Sequence, residues 1–256
     1  MSGAMNFRKC GSVLVTGASR GIGLQLVDSL ASGAFSPGKI IATTRNPSSA
    51  QKLQKLAEKY PNIHIITLDV VNQDSIEKSA EEVGLLVQDK GLNCLINNAG
   101  INVSADFQSV TAEKMIENFH TNAVSPLMIT KTFLPLLKAA ASRGGAGMGI
   151  QKAAVINIGS LLGSVELAMD SSFRWYPYRV SKSALNMVSR CMAVDLEADG
   201  ILCMAVHPGW VRTDMGGVQA PLTPEDSVAS LLSVIGGLTE KDHGSFLNLT
   251  GEPLPW

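Results

Sequence analysis

Charge of one sign is missing from this sequence: 21 Lys and Arg stand against 22 Asp and Glu, for a formal net charge of −1. No basic stripe of the kind that neutralises nucleic-acid phosphates is present, so nucleic acid is not an expected partner. Cysteines are few. Cys10, Cys94, Cys191 and Cys203 are widely spaced and form no C-x-x-C pair, which argues against zinc ligation and a disulfide framework. Cys94 and Cys203 stand in apolar runs, where a free thiol behaves as a small hydrophobe. No apolar stretch approaches the roughly 18 residues of a membrane span, and residues 1–10 hold no apolar leader core. A cytoplasmic protein with no membrane partner is the default expectation. No linker divides the chain either, and open α/β sheets reach 256 residues undivided, so one domain over 1–256 is expected.

What is present is a set of short, continuous apolar runs. Residues 12–16, 39–44, 63–68, 94–96, 153–158, 202–206 and 246–249 read as strands buried on both faces. Helical stretches alternate with them: 21–32, 48–60, 73–89, 111–120 with 126–139, 178–198 and 224–236. This alternation predicts a doubly wound α/β fold, a seven-stranded parallel sheet of Rossmann type with helices on both faces. Two segments read as loops, 141–149 and 213–224.

The first run feeds Thr16-Gly17-Ala18-Ser19-Arg20-Gly21-Ile22-Gly23, and a helical pattern (Leu24, Leu26, Val27, Leu30) follows at once. Glycines there allow a tight turn and let a pyrophosphate approach the N–H groups of a helix N-terminus. In strand–turn–helix context the T-G-x-x-x-G-x-G spacing points to a dinucleotide. An NAD site places an acid about 20 residues further on, on the ribose 2′-hydroxyl. Here no acidic residue lies between Asp28 and Glu58, and the second run ends Thr43-Thr44-Arg45-Asn46. A guanidinium pairs with a 2′-phosphate where a carboxylate would repel it. Arg45, with Arg20 in the turn, therefore favours NADP(H).

Further motifs follow in order: Leu68-Asp69-Val70, Asn97-Asn98-Ala99-Gly100, Thr121-Asn122-Ala123, Asn157-Ile158-Gly159-Ser160, Tyr178-Arg179-Val180-Ser181-Lys182 and His207-Pro208-Gly209. Together with the glycine turn they resemble the short-chain dehydrogenase/reductase family across nearly the whole chain. Within it the chain is most similar to the sniffer and C-factor-like carbonyl reductases, on the 157–160 run, the long stretch before Tyr178 and the ending Gly251-Glu252-Pro253-Leu254-Pro255-Trp256. The resemblance implies catalytic roles for Asn122, Ser160, Tyr178 and Lys182. It implies cofactor contacts from Gly17, Ser19, Arg20, Gly21, Ile22, Gly23, Arg45, Asp69, Val70, Asn98, Ala99, Gly100, Tyr178, Lys182, Pro208, Gly209, Val211 and Thr213, with His207 supporting the wall against the nicotinamide carboxamide. Asn122 is implied to hold a water linking Lys182 to solvent.

The chemistry also follows from spacing. Tyr178 and Lys182 are four apart and share one helix face. A phenol titrating near ~10 is a poor proton shuttle; an ammonium beside it favours phenolate, and an oxidised nicotinamide adds a second positive charge. Lowering the phenol to about 7 requires about 4 kcal/mol, which that pair of cations in a dry cleft is expected to supply. Ser160, just past a strand, is placed to hydrogen-bond a substrate oxygen. Tyr176 has Val180 four residues on and so lacks a cation partner.

Expected around this centre is an apolar pocket framed by Ile101, Asn102, Leu161, Leu162, the insertion 163–177 and the loop 210–221. Met169, Phe173, Trp175, Trp210 and Met215 are its apolar contributors, and Leu161, Trp175 and Trp210 join Ser160 and Tyr178 against substrate. The loop's Gly216, Gly217 and Pro221 suit a lid. The family resemblance implies reduction of a small hydrophobic ketone, aldehyde or quinone, and a homodimer or tetramer through helices 126–139 and 178–198. Two rivals remain open at this stage: an NADP(H)-binding sensor with little turnover, since fold does not fix function, and an NAD-dependent alcohol dehydrogenase.

Overall fold

A computed structural model describes residues 2–143, 147–170 and 175–256. Eight helices and seven strands follow in chain order among these residues: α1 (Ser2–Lys9), β1 (Ser12–Val15), α2 (Gly21–Ser32), β2 (Lys39–Thr44), α3 (Gln51–Lys59), β3 (Ile63–Thr67), α4 (Gln73–Val87), β4 (Cys94–Asn97), α5 (Ala112–Phe119), α6 (Ser125–Arg143), β5 (Ala154–Ile158), α7 (Tyr176–Leu196), β6 (Leu202–Val206), α8 (Pro224–Gly237) and β7 (Phe246–Leu247). The sheet order is β3-β2-β1-β4-β5-β6-β7, and every pairing is parallel. The order reverses between β1 and β4, which is where ligands bind in such sheets, at the carboxyl ends of the strands.

The continuous apolar runs are explained by two cores. Val13 and Val15 of β1 point into one, with Phe7, Leu26, Leu53 and Leu231. Leu14 points into the other, with Val83, Phe133 and Met192. A strand covered on both faces has no polar side to alternate with.

Where structure and sequence pattern differ, local chemistry gives the reason. Helix α1 has no long apolar stripe; Phe7 inserts edge-on against Phe35 at 5.6 Å, and Asn6 Nδ2 donates to the Gly236 carbonyl of α8 at 2.8 Å. Fully burying one such side chain contributes about 2 kcal/mol. The stretch expected as one helix over 48–60 splits at Ala50 into a short turn, Pro47–Ser49, and α3. Helix α6 runs to Arg143, into the segment read as a loop; residues 144–146 lie outside the described residues. Between α5 and α6 the chain makes a π turn, His120–Val124, whose displaced His120 carbonyl accepts the Ser125 hydroxyl at 2.9 Å.

Candidate active site

The glycine turn is built from backbone outward. Gly17 has a φ of +67°, in the left-handed region, and a Cβ there would stand 2.9 Å from Ala99 Cα. A Cβ on Gly23 would collide with the Gly17 carbonyl oxygen. Ala18 N donates to Thr43 O at 2.8 Å, tying the turn to the end of β2. Thr16 Oγ1 accepts the Asn98 and Ala99 amides, each at 3.0 Å. Asn98 Nδ2 returns bonds to the Thr16 and Gly17 carbonyls at 2.9 and 3.2 Å. The 16–23 turn and the 97–100 run are thus one interlocked unit.

Helix α2 has no side-chain cap at Arg20, whereas α4, α5 and α8 are capped by Asn72, Thr111 and Thr223. Its first-turn N–H groups, lacking intrahelical acceptors, are left for an anion. These features fit the pyrophosphate of a dinucleotide. Arg20 itself pairs with Asp214 at 3.1 Å, both side chains largely exposed; such a pair is weak and exchangeable. Arg45 is exposed at the end of β2. Half-buried Asp69 receives the Val71 amide on Oδ1 at 3.2 Å.

Ser160 and Lys182 are buried, at 7% and 6% exposure, and Tyr178 is half-buried between them. Lys182 Nζ donates to Ile158 O at 2.7 Å and stands 5.8 Å from the Tyr178 ring centre. Tyr178 hydrogen-bonds Ser160, whose Oγ also accepts the Leu162 amide at 3.2 Å. Burial pushes the Tyr178 phenol up, and the Ser160 hydrogen bond pulls it partly back. The charge of an oxidised nicotinamide, the second cation expected to lower this phenol, would act on top of these two effects. Burial holds Lys182 down at about 8.

Asn122 sits in the π turn, 1% exposed. Its Nδ2 donates to Ile101 O and Ser181 Oγ, each at 2.9 Å, and its Oδ1 accepts the Ile101 amide at 2.9 Å. Both Nδ2 hydrogens are therefore taken, while Oδ1 keeps one acceptor site beyond its bond to Ile101.

A cavity of about 530 Å³ opens over Tyr178 and Ser160. It is lined by Asn102, Leu161, Leu162, Trp175, Trp210 and Met215, as expected, and by Leu167 and Arg179, which were not singled out. Ile22, His207, Pro208, Gly209, Val211 and Thr213 also line it, so part of the expected cofactor set and the expected substrate set share one space. Ile101 is not among the lining residues; its backbone is held by Asn122. Phe173 and the Met169 side chain lie outside the described residues. Tyr176 packs on Phe107 at 6.1 Å, outside the cavity lining. Gly17, Ser19, Gly21, Gly23, Val70, Asn98, Ala99 and Gly100 are not among the residues that line this cavity. Among the described residues no metal-holding cluster occurs, and no helix is long and apolar enough to cross a membrane.

A model of the short chain dehydrogenase family matches residues 11–221. The chain belongs to that family. Among solved structures, the carbonyl reductase Sniffer of D. melanogaster is 42% identical, with a TM-score of 0.93 over 96% of this chain and 99% of that one. An NADPH-bound carbonyl reductase from chicken fatty liver is 44% identical, with a TM-score of 0.92 over 96% of this chain and 94% of that one. The C-signal protein of Myxococcus xanthus is 39% identical over 166 residues, 64% of this chain and 93% of its own length. A short-chain dehydrogenase is an oxidoreductase, and the seven-stranded Rossmann-type sheet expected from the sequence is the one found. Leu167 falls inside the 163–177 insertion expected to frame the pocket, and Arg179 at an unspecified position of the Tyr178–Lys182 motif, so neither was named singly.

Proposed function

We propose that the protein is an NADPH-dependent carbonyl reductase acting on small hydrophobic ketones, aldehydes or quinones. The observation that carries this is the hydrogen-bonded Tyr178–Ser160 pair at the floor of a mostly apolar cavity, with Lys182 buried behind it. Two structural relatives are carbonyl reductases, one solved with NADPH.

Bound NADPH supplies the hydride that reaches the carbonyl carbon. The chain's own residues handle the oxygen and its proton. Tyr178 gives its phenolic proton to the carbonyl oxygen, and the positive charges of Lys182 and of the oxidised nicotinamide favour the phenolate against the opposing effect of burial. Ser160 steadies the same oxygen and, through its bond to Tyr178, the phenolate left behind. Lys182, charged at neutral pH with its titration near 8, supports that phenolate and holds the nicotinamide ribose. Asn122 fixes the Gly100–Ile101 backbone beside Lys182 and holds the water that links Lys182 to solvent. The first turn of α2 takes the pyrophosphate, Asp69 the adenine, and Arg45 with Arg20 the 2′-phosphate.

Fluorescence titration tests the cofactor half. NADPH is expected to bind more tightly than NADH, and Arg45→Ala to weaken NADPH about tenfold, the scale of a charged hydrogen bond, with NADH unaffected. Tighter NADH would contradict the phosphate assignment. The likeness to C-signal favours a second reading, an NADP(H)-binding sensor; no NADPH oxidation across a panel of ketones, aldehydes and quinones would select it.

A further inference from the structure

We propose that Trp256 is a positioning residue for the substrate cavity, and that residues 253–256 act as a strap on its outer wall. Past β7 the chain folds back: Leu247 pairs antiparallel with Pro253, and Leu254 N donates to Phe246 O at 2.8 Å. The Trp256 indole lies 5.6 Å from the Phe246 ring, with the Arg190 guanidinium of α7 5.5 Å from its centre. Arg190 is itself fixed by a bond to Gly244 O at 2.8 Å. Trp256, 39% exposed, thus bridges the last strand and the catalytic helix by one ring contact and one cation–π contact.

That anchor presents the Trp256 carbonyl oxygen to three donors at once. Val165 N and Glu166 N donate to it at 3.0 and 3.1 Å, and Ser164 Oγ at 3.3 Å. Ser164 Oγ also receives the Leu167 amide at 3.2 Å. The three strapped residues lie between Leu161 and Leu162 on one side and Leu167 on the other, all of which line the cavity. The upstream half of this wall is tied to α7, where Ser183 Oγ donates to Gly163 O at 2.7 Å. The downstream half, carrying Leu167, is held in place through Trp256. Seen this way, the strap sets the reach of the cavity for bulky substrates and leaves the cofactor's edge of the sheet alone.

The kinetic part of this inference rests on the carbonyl-reductase reading, and the exchange measurement below does not. The full chain is compared as wild type, Trp256→Ala and Trp256→Phe. In Trp256→Ala, amide hydrogen exchange at 164–167 is expected to speed at least about tenfold while the β1 and β5 amides stay protected. KM for a bulky aromatic ketone is expected to rise about tenfold with its kcat little changed. A small aldehyde should keep both constants, NADPH its Kd, and Trp256→Phe should restore the bulky-substrate KM. Global loss of protection, or an equal fall in kcat/KM for both substrates, would reduce Trp256 to general scaffolding and overturn the proposal; so would unchanged exchange at 164–167. If the wild type reduces no carbonyl, the reaction assignment fails, while the exchange data still decide the strap.

Discussion

His207 lines the cavity floor at the end of β6, and its Nδ1 is buried without a hydrogen-bond partner among the described residues. Burial, and then the Lys182 ammonium, hold its imidazole down at about 4 against an ordinary 6.5. The folded value is depressed, so the unfolded chain takes up this proton first as pH falls. Stability is therefore lost between pH 6.5 and 4, by about 3 kcal/mol for this group. His207→Gln is expected to lose visibly less stability than wild type in urea melts at pH 4.5 relative to pH 7; equal losses would rule out a neutral buried imidazole. The residue scale is also where sequence was most informative about the site. Ser160, Tyr178 and Lys182 stand in motifs whose spacing already fixes their neighbourhood, and the structure brings them together. The balance of forces on them was not legible. Spacing names the ammonium beside the phenol, but only the fold shows that burial raises the phenol and holds the ammonium down.

Elements were legible where the chain is buried on both sides and obscure where it is not. Strands β2 and β6 coincide with their apolar runs, and α2 begins at the glycine turn. Helix α1 was missed because its contribution is one buried phenylalanine and a bond to α8, neither periodic. The π turn at His120–Val124 was likewise hidden, since nothing in the sequence marks a carbonyl taken by Ser125. The turn-and-helix unit at β1–α2 makes its own prediction. Because a Cβ on Gly23 would collide with the Gly17 carbonyl, Gly23→Ala forces the turn open at a cost of about 1–3 kcal/mol. NADPH affinity in that variant is expected to fall at least tenfold, a larger relative change than in its melting temperature. An unchanged Kd would show that this turn does not hold the pyrophosphate.

At the scale of the whole molecule, long-range pairings were beyond the sequence: the Arg20–Asp214 bridge spans the glycine turn and the 210–221 loop, and the Trp256 strap joins the last residue to the cavity wall. Helix α7 turns Leu185, Met192 and Leu196 inward, as a two-sided helix must, and leaves Val180, Met187 and Val194 at 45%, 65% and 73% exposure. That outward stripe suits the homodimer the family resemblance implies. Met187→Glu is expected to shift sedimentation from dimer toward monomer, and a monomeric wild type would remove the need for any such interface. Proton transfer by the phenol beside Lys182 is isolated by Tyr178→Phe, which removes one oxygen and keeps the ring. Single-turnover reduction of a ketone, read as NADPH absorbance alongside an NADPH titration, is the direct measurement. The expected result is an unchanged Kd with a rate lowered by about 10²–10⁴, the worth of a positioned general acid; a variant that turns over at the wild-type rate would contradict it.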